Sequence, residues 1–221
     1  MKAFLSCIAL WLLAGCTREA VPPAAPAPRP AETGSATAAP TRDVPAPTAP
    51  PAAPAMAPPS FDCAKAASDA EKLVCGDAEL AALDRQLAAR YAERKEADPA
   101  VQRGWAMGRD DCWKQADQRL CVLEAYRTRL VELAIGAPGM VVPTPVEYRC
   151  SDNRLPFTMV YYHDIDPPAA VMTWGNDQAI VFPQPAASGA KYGRVGIEYW
   201  EHQGEATVDF FGNKLSCTPV P

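Results

Sequence analysis

The chain has 221 residues, 48% of them hydrophobic, and a formal net charge of -5. Nucleic acid is disfavoured as a partner, because binding it requires a basic surface that displaces counterions; a basic protein suits the chain better. None of the eight cysteines sits in a Cys-x-x-Cys pair, and only His163 and His202 supply imidazoles, so structural zinc and haem are not expected and no metal or cofactor is assigned.

Lys2 precedes an apolar run from Ala3 to Leu13, followed by Ala14-Gly15-Cys16. The run is too short to cross a bilayer, and residues 1–15 read as a cleavable export leader. The Leu13-Ala14-Gly15-Cys16 step resembles the lipobox of bacterial lipoproteins, which implies that Cys16 is lipidated and becomes the mature N-terminus. Thr17, in place of Asp, is similar to Gram-negative lipoproteins released to the outer membrane, and implies a cell-envelope protein facing the periplasm. More than one acyl chain makes such an anchor stable, since each buried methylene contributes about 0.8 kcal/mol and a single chain binds marginally. Residues 17–60 hold 13 of the 24 prolines and almost nothing large and apolar. With Cys16 they form a disordered tether that reaches on the order of 100 Å if extended.

Residues 61–137 are helical in period. Ser68-Asp69-Ala70-Glu71 makes a capping box and Gly76 a stop. Asp77 caps a second helix, in which Leu80, Leu83, Leu87 and Tyr91 mark one buried face. Asp98-Pro99 starts a third, because proline is tolerated in the first turn, and Val101, Trp105 and Cys112 are expected along it. A last helix from about Asp117 carries Leu120, Leu123, Tyr126, Leu130 and Leu133 before Gly136 and Pro138 end it. So short a bundle leans on crosslinks.

The cysteines at 63, 75, 112, 121, 150 and 217 remain after the leader and the lipidated residue are set aside. In an oxidising compartment their even number reads as a disulfide framework open to many connectivities. Cys63 with Cys75 and Cys112 with Cys121 are the most economical local pairs, each closing a short loop worth roughly 2 to 3 kcal/mol in the entropy model.

After Gly136-Ala137-Pro138-Gly139, with Pro143 and Pro145 beyond it, the period changes to two. Val146–Cys150, Phe157–Tyr162, Ala170–Trp174, Ala179–Phe182, Val195–Trp200, Ala206–Phe210 and Leu215–Cys217 alternate, separated by turns at Gly175-Asn176-Asp177, His202-Gln203-Gly204 and Gly212-Asn213. Seven or eight strands within residues 146–221 leave no room for long open edges and point to a small antiparallel β-barrel, or a sandwich of the same strands. Cys150 and Cys217 would then tie the first strand to the last. The fold class is α then β, a small disulfide-stapled helical bundle followed by this barrel.

The segment from Tyr148-Arg149-Cys150 to Leu215-Ser216-Cys217 resembles the MliC family of membrane-bound inhibitors of c-type lysozyme. The match runs through Ala187-Ser188-Gly189-Ala190-Lys191-Tyr192, Tyr199-Trp200 and Gly204-Glu205-Ala206-Thr207. The helical segment is similar to LprI-type domains through Phe61-Asp62-Cys63, Glu71-Lys72-Leu73-Val74-Cys75, Leu83-Asp84 and Arg109-Asp110-Asp111-Cys112; its four cysteines fit that pattern. The resemblance implies a proteinaceous inhibitor whose Ser-Gly-x-x-Tyr loop enters the lysozyme cleft. Ser188 would hydrogen-bond to a catalytic carboxyl group, with Gly189, Lys191 and Tyr192 in support. A hydroxyl suits that task because it both donates and accepts, while the two acids of a glycosidase differ in protonation. The family's second contact is a lysine directly before a glycine; here Gln203 precedes Gly204, and His202 precedes it in what reads as a turn one residue longer. Losing the ammonium would weaken binding roughly tenfold.

Asp164 and Asp166 flank Ile165 before Pro167-Pro168, which reads as a solvated loop because the glycine and further oxygen ligands of a calcium loop are missing. There is no nucleophile elbow, phosphate loop or His-Glu-x-x-His sequence, and an enzyme is not expected. The alternative to an inhibitor is a non-inhibitory envelope lipoprotein that binds peptidoglycan or another periplasmic partner with the same scaffold.

Overall fold

The computed structural model describes residues 56–94 and 98–221. The leader, the lipidation at Cys16 and the tether as far as residue 55 lie outside them. Four helices come first: α1 (Asp69–Gly76), α2 (Ala78–Glu93), α3 (Pro99–Asp110) and α4 (Gln118–Ile135), with short 3-10 turns at Cys63–Lys65 and Asp111–Lys114. Each start has a chemical cause. Ser68 accepts from the Glu71 amide while Glu71 accepts from the Ser68 amide, and Asp77, Asp98 and Asp117 accept from the first free amides of α2, α3 and α4, satisfying donors that a helix leaves without partners. Among the described residues no helix is long and apolar enough to cross a membrane.

Val74, Leu80, Leu87, Val122, Tyr126 and Leu130 form the bundle core. A polar chain crosses it: Arg109 donates to the Tyr126 hydroxyl at 2.9 Å, which donates to Asp84 at 2.9 Å. Burial of Arg109 and Asp84 is tolerable because each is paired. Disulfides join Cys63 to Cys75 and Cys112 to Cys121. Two details differ from the periodicity. α3 stops at Asp110, so Cys112 lies on the following 3-10 turn, and Val101 and Leu120 are exposed; α3 instead packs through Trp105, whose indole donates to the Ala125 carbonyl.

Eight antiparallel strands then close into a barrel in chain order: β1 (Val146–Cys150), β2 (Phe157–Tyr162), β3 (Ala169–Trp174), β4 (Asp177–Gln184), β5 (Ala190–Arg194), β6 (Ile197–His202), β7 (Glu205–Phe210) and β8 (Asn213–Pro219), which returns to β1. Cys150 lies directly opposite Cys217 and is bonded to it. The run read as one strand from Val195 to Trp200 is the second arm of a hairpin: β5 precedes it and the chain turns at Val195-Gly196, with Gly196 at φ +81°. Tyr148, Phe157, Met159, Met172, Val181, Tyr199 and Val208 fill the interior.

β3 is buried on both faces, since Ala170 and Met172 point inward while Ala169 is covered from outside. The cover is α4, whose Val131 and Ile135 pack on Ala169, Ile180 and Phe182. Glu124 of α4 also accepts from the Val195 amide at 2.9 Å, and Asp166, in the loop after β2, accepts from Gln86 and Arg90 of α2.

Candidate binding site at one end of the barrel

Strand directions collect three connections at one end: residues 163–168, residues 185–189 and the turn at residues 203–204. Gln203 and Gly204 both take positive φ, +53° and +82°, between the paired His202 and Glu205. That is the geometry of a two-residue type I′ hairpin turn, which matches strand twist. The turn is tight, and His202 belongs to β6 rather than to a longer loop.

The loop from β4 to β5 rests against β6. Gly189 has φ +72°, and a Cβ there would stand 1.9 Å from the Glu201 carbonyl oxygen and 3.2 Å from the His202 Cα, so only glycine lets the two backbones lie this close. Ser188 is exposed. Its carbonyl accepts a hydrogen bond of 3.0 Å from the indole of Trp200. Trp200 points outward from β6 and stacks on His202, with centroids 5.7 Å apart and planes at 17°.

Below this surface the hydroxyls of Tyr148, Tyr161 and Tyr199 meet at 2.7 to 3.1 Å, and Tyr199 also donates to the Glu201 carboxylate at 2.7 Å. Burial first, and then the neighbouring oxygens, push the Tyr199 and Tyr161 hydroxyls well above the usual phenol range. They remain neutral, so the network is a rigid polar plug and not a proton store.

Ser188, Gly189, Gln203 and Gly204 therefore come together at one end. Two other residues of the motif do not join them. Lys191 faces the barrel's side, where it pairs with Glu198 at 2.7 Å. Tyr192 points inward, is buried, and packs against Tyr161 and Tyr199 at centroid distances of 5.4 and 6.4 Å; its part is to fix the strand on which the loop ends. The brace that Trp200 makes was not part of the reading by periodicity, although alternation about Tyr199 does place Trp200 outside. Among the described residues no three His, Cys, Asp or Glu side chains gather as a metal site would require.

The barrel and its rim loop fall within a segment that matches a known family. Residues 148–216 match the model of the family described as membrane-bound lysozyme-inhibitor of c-type lysozyme. The relationship extends beyond the barrel, because over 163 residues the chain is 46% identical to the lipoproteins LprI of Mycobacterium tuberculosis and Mycobacterium bovis, across 72% of this chain and 83% of theirs. The chain belongs to the LprI lipoprotein family. Among solved structures, Pseudomonas aeruginosa MliC in complex with hen egg white lysozyme is similar at 27% identity over 38% of this chain and 91% of that one, with a TM-score of 0.31.

Proposed function

We propose that this protein is a membrane-anchored inhibitor of c-type lysozyme, which protects peptidoglycan by placing the Ser188 loop in the enzyme's active-site cleft. The observation that carries the reading is the exposed Ser188 on a loop locked by Gly189, inside the segment that matches the lysozyme-inhibitor family. The hydroxyl meets either acid of the cleft, as donor or as acceptor. Gly189 and the Gln203-Gly204 turn frame it, while Lys191 and Tyr192 serve from behind. Its action is binding, and no chemistry of its own is assigned.

The same proposal assigns the parts of the chain. Residues 1–15 direct export, Cys16 carries the lipid in the outer membrane, and residues 16–60 let the rest stand off into the periplasm. Residues 61–137 form the helical domain and 146–221 the inhibitory one. The acidic barrel segment meets a basic enzyme, so association should be faster at low salt.

Titrating the full chain against lysozyme turnover of cell-wall substrate tests the reading, and absence of inhibition at micromolar protein rejects it. Gln203→Lys restores the ammonium on an unchanged turn; about tenfold tighter inhibition is expected. A large gain from an inert starting protein would favour the non-inhibitory envelope protein instead.

A further inference from the structure

We infer that Trp200 is a positioning residue, which clamps the Ser188 loop to β6 and makes the loop and the Gln203-Gly204 turn one preorganised unit. The inference rests on the inhibitory reading for its consequence, but its physical content concerns the free protein.

Three observations converge on it. The Trp200 indole is 38% exposed, yet its N–H is spent on a neighbouring loop, donating to the Ser188 carbonyl at 3.0 Å. That bond holds the peptide carrying Ser188 and leaves the hydroxyl free. Second, the indole is held in turn by His202, stacked on it at 5.7 Å, and His202 is the last β6 residue before the turn. Third, Gly189 lies on the backbone of Glu201 and His202, so the loop also touches β6 directly beyond the Trp200 bond. Ser188, Trp200 and His202 thus join the two connections at either end of the β5–β6 hairpin by a contact of side chain on backbone and one of ring on ring.

A short loop with one anchoring side chain pays an ordering cost when it binds unless the free protein already holds it, and preorganisation raises affinity by removing that cost. Two contacts of a cleft binder gain most when their spacing is fixed before association, because a mobile loop reaches the productive pose only in part of its population. Trp200 supplies that fixation from outside the core, where its loss leaves the barrel intact.

The test uses the full chain with Trp200→Phe, which keeps an aromatic ring on His202 and deletes the N–H donor. A neutral hydrogen bond contributes about 1 kcal/mol, so inhibition is expected to weaken about fivefold. Hydrogen exchange of the free protein over residues 185–191 should quicken by a similar factor, with β8 amides and the melting temperature unchanged. A second variant, His202→Ala, keeps the indole but removes its shelf, and should quicken the same amides by a smaller factor.

Loop exchange that is unchanged in both variants overturns the inference, whatever happens to inhibition. Weaker inhibition with unchanged loop exchange also overturns it, since Trp200 would then touch the enzyme directly. If the parent protein fails to inhibit lysozyme, the functional reading is lost, and the exchange measurement alone still decides whether Trp200 holds the loop.

Discussion

Replacing Gly189 by alanine separates the loop's geometry from the barrel's stability. The added methyl would stand 1.9 Å from the Glu201 carbonyl oxygen, whereas a carbon and a carbonyl oxygen meet at about 3.3 Å, so the backbones must part by roughly 1.4 Å. β6 cannot yield, because Glu201 is paired on both sides, with Ala190 and with Ala206. The loop moves instead. Alanine held in the left-handed region costs roughly 1–2 kcal/mol, and a loop that escapes the contact gives up the Trp200 to Ser188 bond, about 1 kcal/mol more. Denaturant titration of Gly189→Ala should therefore show a loss of about 1–3 kcal/mol with cooperative unfolding retained. Lysozyme inhibition should weaken by at least about tenfold, because Ser188 no longer stands where the parent loop presents it. A folded variant with undiminished inhibition refutes the claim that this backbone contact sets the presentation of Ser188. A loss of more than about 5 kcal/mol refutes the division of labour, since a local change confined to an exposed loop does not reach that scale.

Glu124→Ala removes the carboxylate that accepts from the Val195 amide and, as the loss of a hydrogen bond to a charged group, should cost about 1–3 kcal/mol; no change in a denaturation curve would show that this contact between α4 and the barrel is idle. The raised Tyr199 and Tyr161 hydroxyls set a pH dependence. An acid whose folded value lies above its unfolded value of about 10 contributes stability that is present below that pH and is lost as pH rises toward the folded value. Stability should thus fall from about pH 10 upward, and Tyr199→Phe should flatten the fall; an equal slope in both proteins would contradict the assignment.

Much of the helical half was readable, because helix ends are local. Ser68 with Glu71, Asp77, Asp98-Pro99 and Asp117 all cap where their side chains predict. Helix faces were less so: Val101 and Leu120 fit the apolar spacing but face solvent, since α3 is short and packs through Trp105 and Arg109. In the barrel, alternation marked most strands and missed β5. Gly193 leaves a gap in its pattern, and Val195-Gly196 lacks the Asn-Gly chemistry of an evident hairpin. The covered outer face of β3 and β4 shows in retrospect as the unbroken apolar stretches Ala169–Met172 and Ala179–Phe182, the pattern of strands buried on both sides.

The site was legible only in part, for the same reason. Ser188, Gly189, Gln203 and Gly204 could be singled out as residues, but their meeting depends on barrel closure. The hydroxyls of Tyr148, Tyr161 and Tyr199 come from three strands and converge only once β8 returns to β1. Lys191 shows the converse. Its place in the motif reads as support for the Ser188 loop, and outward alternation from Tyr192 sets it beside Glu198 on the next strand, a partner that the motif alone does not show.

The central claim is tested most directly by Ser188→Leu in the full chain, which removes the hydroxyl and adds bulk without charge at an exposed position. Titrated against c-type lysozyme with the melting temperature as control, the variant should stay folded and inhibit at least about thirtyfold less well, the scale of a binding hot spot. A folded Ser188→Leu protein that blocks the enzyme as well as its parent would contradict the account.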